Sequence, residues 1–243
     1  MFNDKAIHIG AVVMNNVSIL QILPPQYHKF LLFFDPEQAE KLPDSLQGCD
    51  HRIEWLDSED KLQMGPIYQL SQEEEKLLIQ YLDKMIKEGK ICPSSSRVGS
   101  LILLVPKPNG RRLRLCIDYR HLNDYTKKDH TPLLIMEELQ SRLRETTHIT
   151  EVDLESRFYL IRMALGHEKF TAFCTKFGLY EYTVMPFGLF NMPATFQWAI
   201  NRILRPLLGM ELVFNTKTLI DEDDGMVVVA YIDDILIATK GSL

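Results

Sequence analysis

Met226 to Thr239 read MVVVAYIDDILIAT, and two adjacent acids, Asp233 and Asp234, interrupt an otherwise apolar run. Asp is a good turn residue, so the plain reading is two apolar strands joined at the acids. That reading leaves an electrostatic difficulty. Both flanks look built for burial on both faces, and uncompensated charge beside them is expensive. A divalent cation removes it, because Mg²⁺ selects hard oxygen ligands. One more carboxylate from another strand would complete such a site, and Asp153, at the end of the apolar stretch HITEVDL, is the candidate. Three carboxylates at the ends of adjacent strands can hold two cations about 3.5–4 Å apart, which activates an attacking oxygen and stabilises a leaving one in phosphoryl transfer.

The rest of the sequence must then supply partners for phosphate. The net charge of −6 argues against a general affinity for polyanions, but the average hides a polarity. Between Asp35 and Glu75 there are twelve acids and three bases, whereas Arg97 to His130 carries eight bases against three acids. Charges further apart than about 8 Å are screened at physiological salt, so this local excess can bind phosphates whatever the total. A solvated charged face is the plainer alternative.

A pass along the chain places these features. Residues 1 to about 65 show weak periodicity, several prolines and many acids, and read as an irregular, partly extended leader; residues 66–243 form the main domain. SQEEEKLLIQYLDKMIKEGK reads as a helix, with Ser71 and Glu74 as a capping box, Leu78, Leu82, Met85 and Ile86 as an apolar stripe, and Gly89 as the stop. GSLILLVPKPNGRRLRLCIDYR reads as two strands joined at Asn109-Gly110, with Lys107, Arg111, Arg112 and Arg114 at or beside the tip. Thr131-Pro132 opens a second helix to about Arg144. HITEVDL is a strand ending at Asp153, KFTAFCTKFGLYEYTVM a hairpin around Gly178, and Pro193 starts a helix through ATFQWAINRILRPLL. An acidic linker with Asp221 to Asp224 precedes the final hairpin. Helices alternating with antiparallel hairpins predict an α+β fold. No apolar stretch reaches the ~18 residues of a membrane span, so no membrane partner is expected. Four scattered cysteines with no C-x-x-C pair predict reduced thiols rather than zinc. No targeting signal is visible, which makes a cytoplasmic address the default.

Tyr-x-Asp-Asp alone is a weak motif. In order, however, LILLVPKPNGRRLRLCIDYRHLN, TEVDL, TAFCTKFGLYEYTVMPFGLFNMPATFQ and VVVAYIDDILIAT closely resemble the reverse transcriptases of Ty3/gypsy-type long-terminal-repeat retrotransposons. DHRIEW, GPIYQLSQEE and KEGKICPSSSRVGS resemble the segment just upstream in those polyproteins, so the likeness runs from roughly Leu23 to Leu243. It implies the fingers and palm of a right-hand polymerase, with an antiparallel palm sheet backed by helices. It further implies a Mg²⁺-dependent RNA-directed DNA polymerase with two ions, Mn²⁺ as an alternative, a primed RNA or DNA template, and deoxynucleoside triphosphates. Asp153, Asp233 and Asp234 match the metal ligands, and Lys107 and Arg114 the residues that hold the triphosphate. Phe158 matches the aromatic gate against a ribose 2′-hydroxyl. Phe187, Gly188 and Gln197 match the lining of the nucleotide and template, and Tyr231 the tyrosine beside the primer end. Phe158 and Phe187 read equally well as core aromatics, Gln197 as a polar helix flank, and Lys107 and Arg114 as solvated hairpin charges.

Some positions depart from the pattern. Arg157 stands where the family has a small residue, directly before the gate, and is expected to project toward the sugar pocket. Phe190 and Met192 replace small residues, and a dozen or more extra residues, including NTKTLIDEDDG, precede YIDD as an expected surface loop. The chain stops just after the final hairpin, so thumb, connection and ribonuclease H regions are expected to be absent. The alternative to an active core is thus an inert truncated remnant that keeps the fold and weak nucleic-acid binding.

Overall fold

The computed structural model describes residues 23–35, 38, 40–56, 61–106, 113–130, 146–154, 157–204, 218–221, 226–231 and 234–239; at 26, 32–34, 153, 157, 218–221, 226, 227, 229, 231 and 234 it describes the backbone alone. The predicted helix over 131–144, residues 1–22 and most of the extra segment before the final hairpin lie outside the described residues. The chain divides into two compact units, one of Met1–Glu40, His130–Arg157 and Phe196–Leu243, the other of Lys41–Asp129 and Phe158–Thr195. Helices and antiparallel sheets alternate along the chain, as the α+β reading expects. No helix among the described residues is long and apolar enough to cross a membrane.

The second unit opens with residues that the sequence reading placed in the leader. Cys49, His51 and Ile53 are buried, and His51 is held by backbone hydrogen bonds to Arg162 (2.8 Å) and Ala164 (2.9 Å). Helix α1, Gln72–Lys87, follows. Its capping box forms as read: the Ser71 hydroxyl accepts from the Glu74 amide at 3.3 Å while the Glu74 carboxylate accepts from the Ser71 amide at 2.8 Å. Those bonds also hold the Glu74 pKa below the ordinary carboxylate range. Leu78, Leu82 and Met85 are buried, but Ile86 is 42% exposed. The buried stripe is therefore narrower than predicted, holding Met85 but not Ile86. Gly89 takes the left-handed conformation (φ 70°) that ends such a helix.

Strand β1 is Ile91–Pro93, β2 is Leu101–Pro106 and β3 is Leu113–Asp118. β2 and β3 pair antiparallel from Leu101↔Asp118 to Pro106↔Leu113, so the ladder is centred on Asn109-Gly110 as the hairpin reading requires. The connecting residues 107–112, Lys107 among them, lie outside the described residues. A short helix α2, Arg120–Tyr125, follows.

The first unit contributes strand β4, His148–Asp153, as predicted. In the second unit, β5, Phe173–Thr175, and β6, Gly178–Tyr182, form the expected hairpin, turning at Lys176-Phe177 between the paired Thr175 and Gly178. β6 is central in the sheet β1-β6-β5. Helix α3, Met192–Leu204, puts Pro193 in its first turn, where a missing amide costs nothing. It begins in the second unit and continues into the first.

The remaining strands are β7, Thr218–Asp221, β8, Met226–Tyr231, and β9, Asp234–Thr239. They complete a four-stranded antiparallel sheet in the order β4-β9-β8-β7. β7 corrects the expectation of a plain surface loop: part of the extra segment pairs with β8 from Thr218↔Val229 to Asp221↔Met226. An edge strand satisfies backbone groups of β8 that a loop would leave to solvent. Val228 is buried under Leu204, Ile235 and Ile237, and Ala230 and Ala238 are buried too, so the apolar flanks of the acids do form a core.

Candidate active site

The register of the first unit's sheet brings three of the candidate residues into one row. Asp153, the last residue of β4, is the cross-strand partner of Asp234, the first residue of β9. Asp234 is in turn the partner of Tyr231, the last residue of β8. Directly opposed residues of an antiparallel pair share a face of the sheet, with Cα atoms about 4.5–5.5 Å apart. A two-residue connection, Ile232 and Asp233, links Tyr231 to Asp234; Asp233 lies outside the described residues. Among the described residues no cluster of three His, Cys, Asp or Glu side chains forms a metal site.

Directly opposed acids with nothing between them would repel. Carboxylates at opposed strand positions are the kind of donor that divalent ions prefer.

Gln197 supports this row from α3. It is 1% exposed, and its Nε2 donates to the carbonyl of Ala230 at 2.8 Å and to Asn201 Oδ1 at 3.0 Å. Neither reading of the sequence anticipates this. Rather than a polar flank, Gln197 is a buried tie between the helix and the strand residue immediately before Tyr231.

The second unit holds the aromatic candidates. Phe158 lies in the 3-10 turn Arg157–Leu160 and is 2% exposed, while Phe187 is 48% exposed. Their rings meet edge-to-face at 5.0 Å and 89°. Phe187 is thus the solvent-facing member of the pair. Gly188 has φ 98°, the left-handed region where a side chain strains the backbone. A Cβ there would meet Tyr119 Cδ2 at 3.4 Å, an ordinary contact, so the demand for glycine is conformational. Arg114 is exposed on β3, opposite Val105 and one step from the last described pair of the ladder.

Two asparagines that sequence reasoning left without a role hold the PFGLFN loop. Asn123, on α2, donates Nδ2 to the Gly188 carbonyl at 2.8 Å and accepts from the Phe190 amide at 2.9 Å. Asn191 accepts from the Asp129 amide at 2.9 Å and donates to the Lys127 carbonyl at 2.8 Å. The only signal available for them is chemical: Asn side chains commonly satisfy loop backbone groups. A cavity of about 580 Å³ in the same unit, lined by Met64, Gly65, Gly99, Asp118, Arg120 and His121, is likewise absent from the sequence reading.

Carboxylates on paired strands are the donor set of metal-dependent nucleotidyl-transfer enzymes. Comparison with known proteins gives the family. Residues 105–242 match the family described as reverse transcriptase (RNA-dependent DNA polymerase), and the chain belongs to it. It is 32% identical over 218 residues to the Transposon Tf2-3 and Tf2-4 polyproteins of Schizosaccharomyces pombe, and 31% identical to the Tf2-7 polyprotein. Each match covers 90% of this chain and 15% of the relative, so the chain spans about 15% of the length of the polyproteins it matches. The kinship read from the ordered motifs is the kinship found.

Proposed function

We propose that this chain is the polymerase core of a retrotransposon polyprotein, adding deoxynucleotides to a primer 3′-hydroxyl on an RNA or DNA template. The β4-β9-β8-β7 sheet with α3 is the palm, the β2–β3 hairpin belongs to the fingers, and residues 66–243 make up the two. The observation that carries this reading is the pairing of Asp153 with Asp234 across β4 and β9. Asp153, Asp234 and the neighbouring Asp233 would hold two Mg²⁺ ions, which, when bound, activate the attacking hydroxyl and stabilise the leaving pyrophosphate oxygen.

The remaining roles are positional. Lys107 and Arg114 neutralise the triphosphate of the incoming nucleotide, Arg as a planar fork suited to phosphate oxygens. Phe158 and Phe187 act as one wall against the sugar, Phe187 presenting the exposed face and buried Phe158 bracing it where a ribose 2′-hydroxyl would press. Gly188 lets the backbone turn beside that wall. Gln197 keeps β8 in register, and with it Tyr231 near the primer end.

Primer extension on a homopolymer RNA template with a DNA primer and Mg²⁺ or Mn²⁺ tests the proposal. Incorporation by the chain, abolished by Asp233→Asn, is the expected result. No incorporation at any protein concentration would contradict it.

A further inference from the structure

Phe187 has a second aromatic neighbour. The Tyr159 ring meets it edge-to-face at 5.6 Å and 85°, and also lies near-parallel to the Tyr182 ring at 6.3 Å and 15°. Tyr159 is therefore wedged between a buried strand residue and the exposed ring of the proposed sugar wall.

The wedge is itself anchored. Tyr182 is 2% exposed, and its amide donates to Thr171 Oγ1 at 2.9 Å. The Tyr81 hydroxyl, reaching from α1, lies 2.5 Å from that of Tyr182 and 3.4 Å from that of Tyr159. Lys90, 4% exposed, places its ammonium 5.7 Å from the centre of the Tyr159 ring and pairs with Glu88 at 2.6 Å. Burial raises the pKa of Tyr81, Tyr159 and Tyr182, so all three hydroxyls keep their protons and their hydrogen bonds at working pH. None of this cluster carries phosphate or metal chemistry, yet it converges on a residue adjacent in sequence to Phe158.

We propose that Tyr159 is a positioning residue for sugar discrimination: held by Tyr182, Tyr81 and Lys90, its ring fixes the angle of Phe187 against Phe158, and so sets how strongly the site prefers a deoxyribose to a ribose. The inference rests on the reading of Phe158 and Phe187 as the sugar wall. A merely structural tyrosine would, when lost, weaken deoxynucleotide and ribonucleotide binding alike. A positioning tyrosine changes their ratio.

Equilibrium dialysis of radiolabelled dATP and ATP against the full chain, with primed template and Ca²⁺ to allow binding without turnover, measures that ratio. The wild-type chain binds dATP the more tightly, and Phe158→Ala largely removes the preference. Tyr159→Leu lowers the dATP-to-ATP affinity ratio by about three- to tenfold, the scale of one lost aromatic pair. Tyr159→Phe, which keeps the ring, stays within about twofold of wild type. Should Tyr159→Leu fail to fold, Tyr159→Met refills the volume with a flexible chain and is expected to lower the ratio by a similar factor. A wild-type chain without preference, or a Phe158→Ala variant with an unchanged one, overturns the sugar-wall reading and this inference with it. A Phe158→Ala effect combined with an unchanged ratio in Tyr159→Leu or Tyr159→Met, or with equal losses for both nucleotides, overturns this inference alone.

Discussion

Asp153 and Asp234 face each other across the β4–β9 ladder, the terminal pair of a six-residue register that begins at His148↔Thr239. Two acids at opposed positions repel when no cation is present, by about 0.2–1 kcal/mol for exposed cross-strand pairs. Removing one charge should therefore stabilise the metal-free protein even as it disables it. Asp153→Asn is expected to raise Tm in EDTA by a degree or so and to lack the further rise expected of wild type on adding Mg²⁺. Differential scanning calorimetry with and without Mg²⁺ checks both halves; a lower Tm in EDTA would mean that the pair is not repulsive.

Gln197 carries a different load. Its amide satisfies the Ala230 carbonyl inside the first unit. Gln197→Leu leaves that carbonyl unpaired where water does not reach, a loss of about 1–3 kcal/mol. Urea unfolding should show a lower midpoint with an unchanged slope. A midpoint within error of wild type would show that the tie is dispensable.

His51 makes stability depend on pH. Burial first, and the charge of His167 second, lower its pKa from 6.5 to about 4 in the folded protein. Its Nδ1 lies 2.8 Å from Thr195 Oγ1. The unfolded chain therefore takes up a proton before the folded one does as pH falls. The stabilisation is complete above pH 6.5 and is lost progressively between about 6.5 and 4, amounting to roughly 3 kcal/mol. His51→Gln should flatten this stretch of a stability–pH curve, measured by urea unfolding at half-unit steps. An unchanged slope in the variant would assign the titration to another group.

Gly188 sits at φ 98° with its carbonyl held by Asn123. Gly188→Ala is expected to cost roughly 1–2 kcal/mol from backbone strain, since the space for a methyl group exists. Nucleotide affinity should fall with it, because strain relieved by rotating the loop moves Phe187. Full retention of both stability and affinity would show that the loop tolerates the change.

How much of this was legible beforehand varies with the kind of constraint. Local rules worked where one segment decides its own structure: the Ser71–Glu74 box, the Gly178 hairpin and the strand from His148 to Asp153 all follow from short-range chemistry. The carboxylate pairing was legible because two strand-like segments each ended in acid. The burial expected of the first was not met: Ile149 and Val152 of β4 are exposed. Features that depend on distant partners were not. Ile86 continues the helical period of Leu78, Leu82 and Met85, but which positions are covered depends on what packs there. Thr218, Leu219 and Ile220 favour a strand but run straight into four acids, and their partner, β8, is not visible in that stretch alone. Asn123 and the tyrosines at 81, 159 and 182 acquire roles through contacts 23 to 101 residues away in sequence, which no local pattern records.

If positions 153, 233 and 234 share one divalent-ion pocket, as proposed, iron-directed backbone cleavage will map it. Fe²⁺ substituted for Mg²⁺, with ascorbate and peroxide, generates radicals that cut the chain within a few ångströms of the bound ion. Paired cuts are expected, one near Asp153 and one near Asp233-Asp234, both suppressed by excess Mg²⁺ and both lost in Asp153→Asn. A cut at the hairpin that survives Asp153→Asn, or cleavage confined to one of the two strands, would contradict the shared pocket.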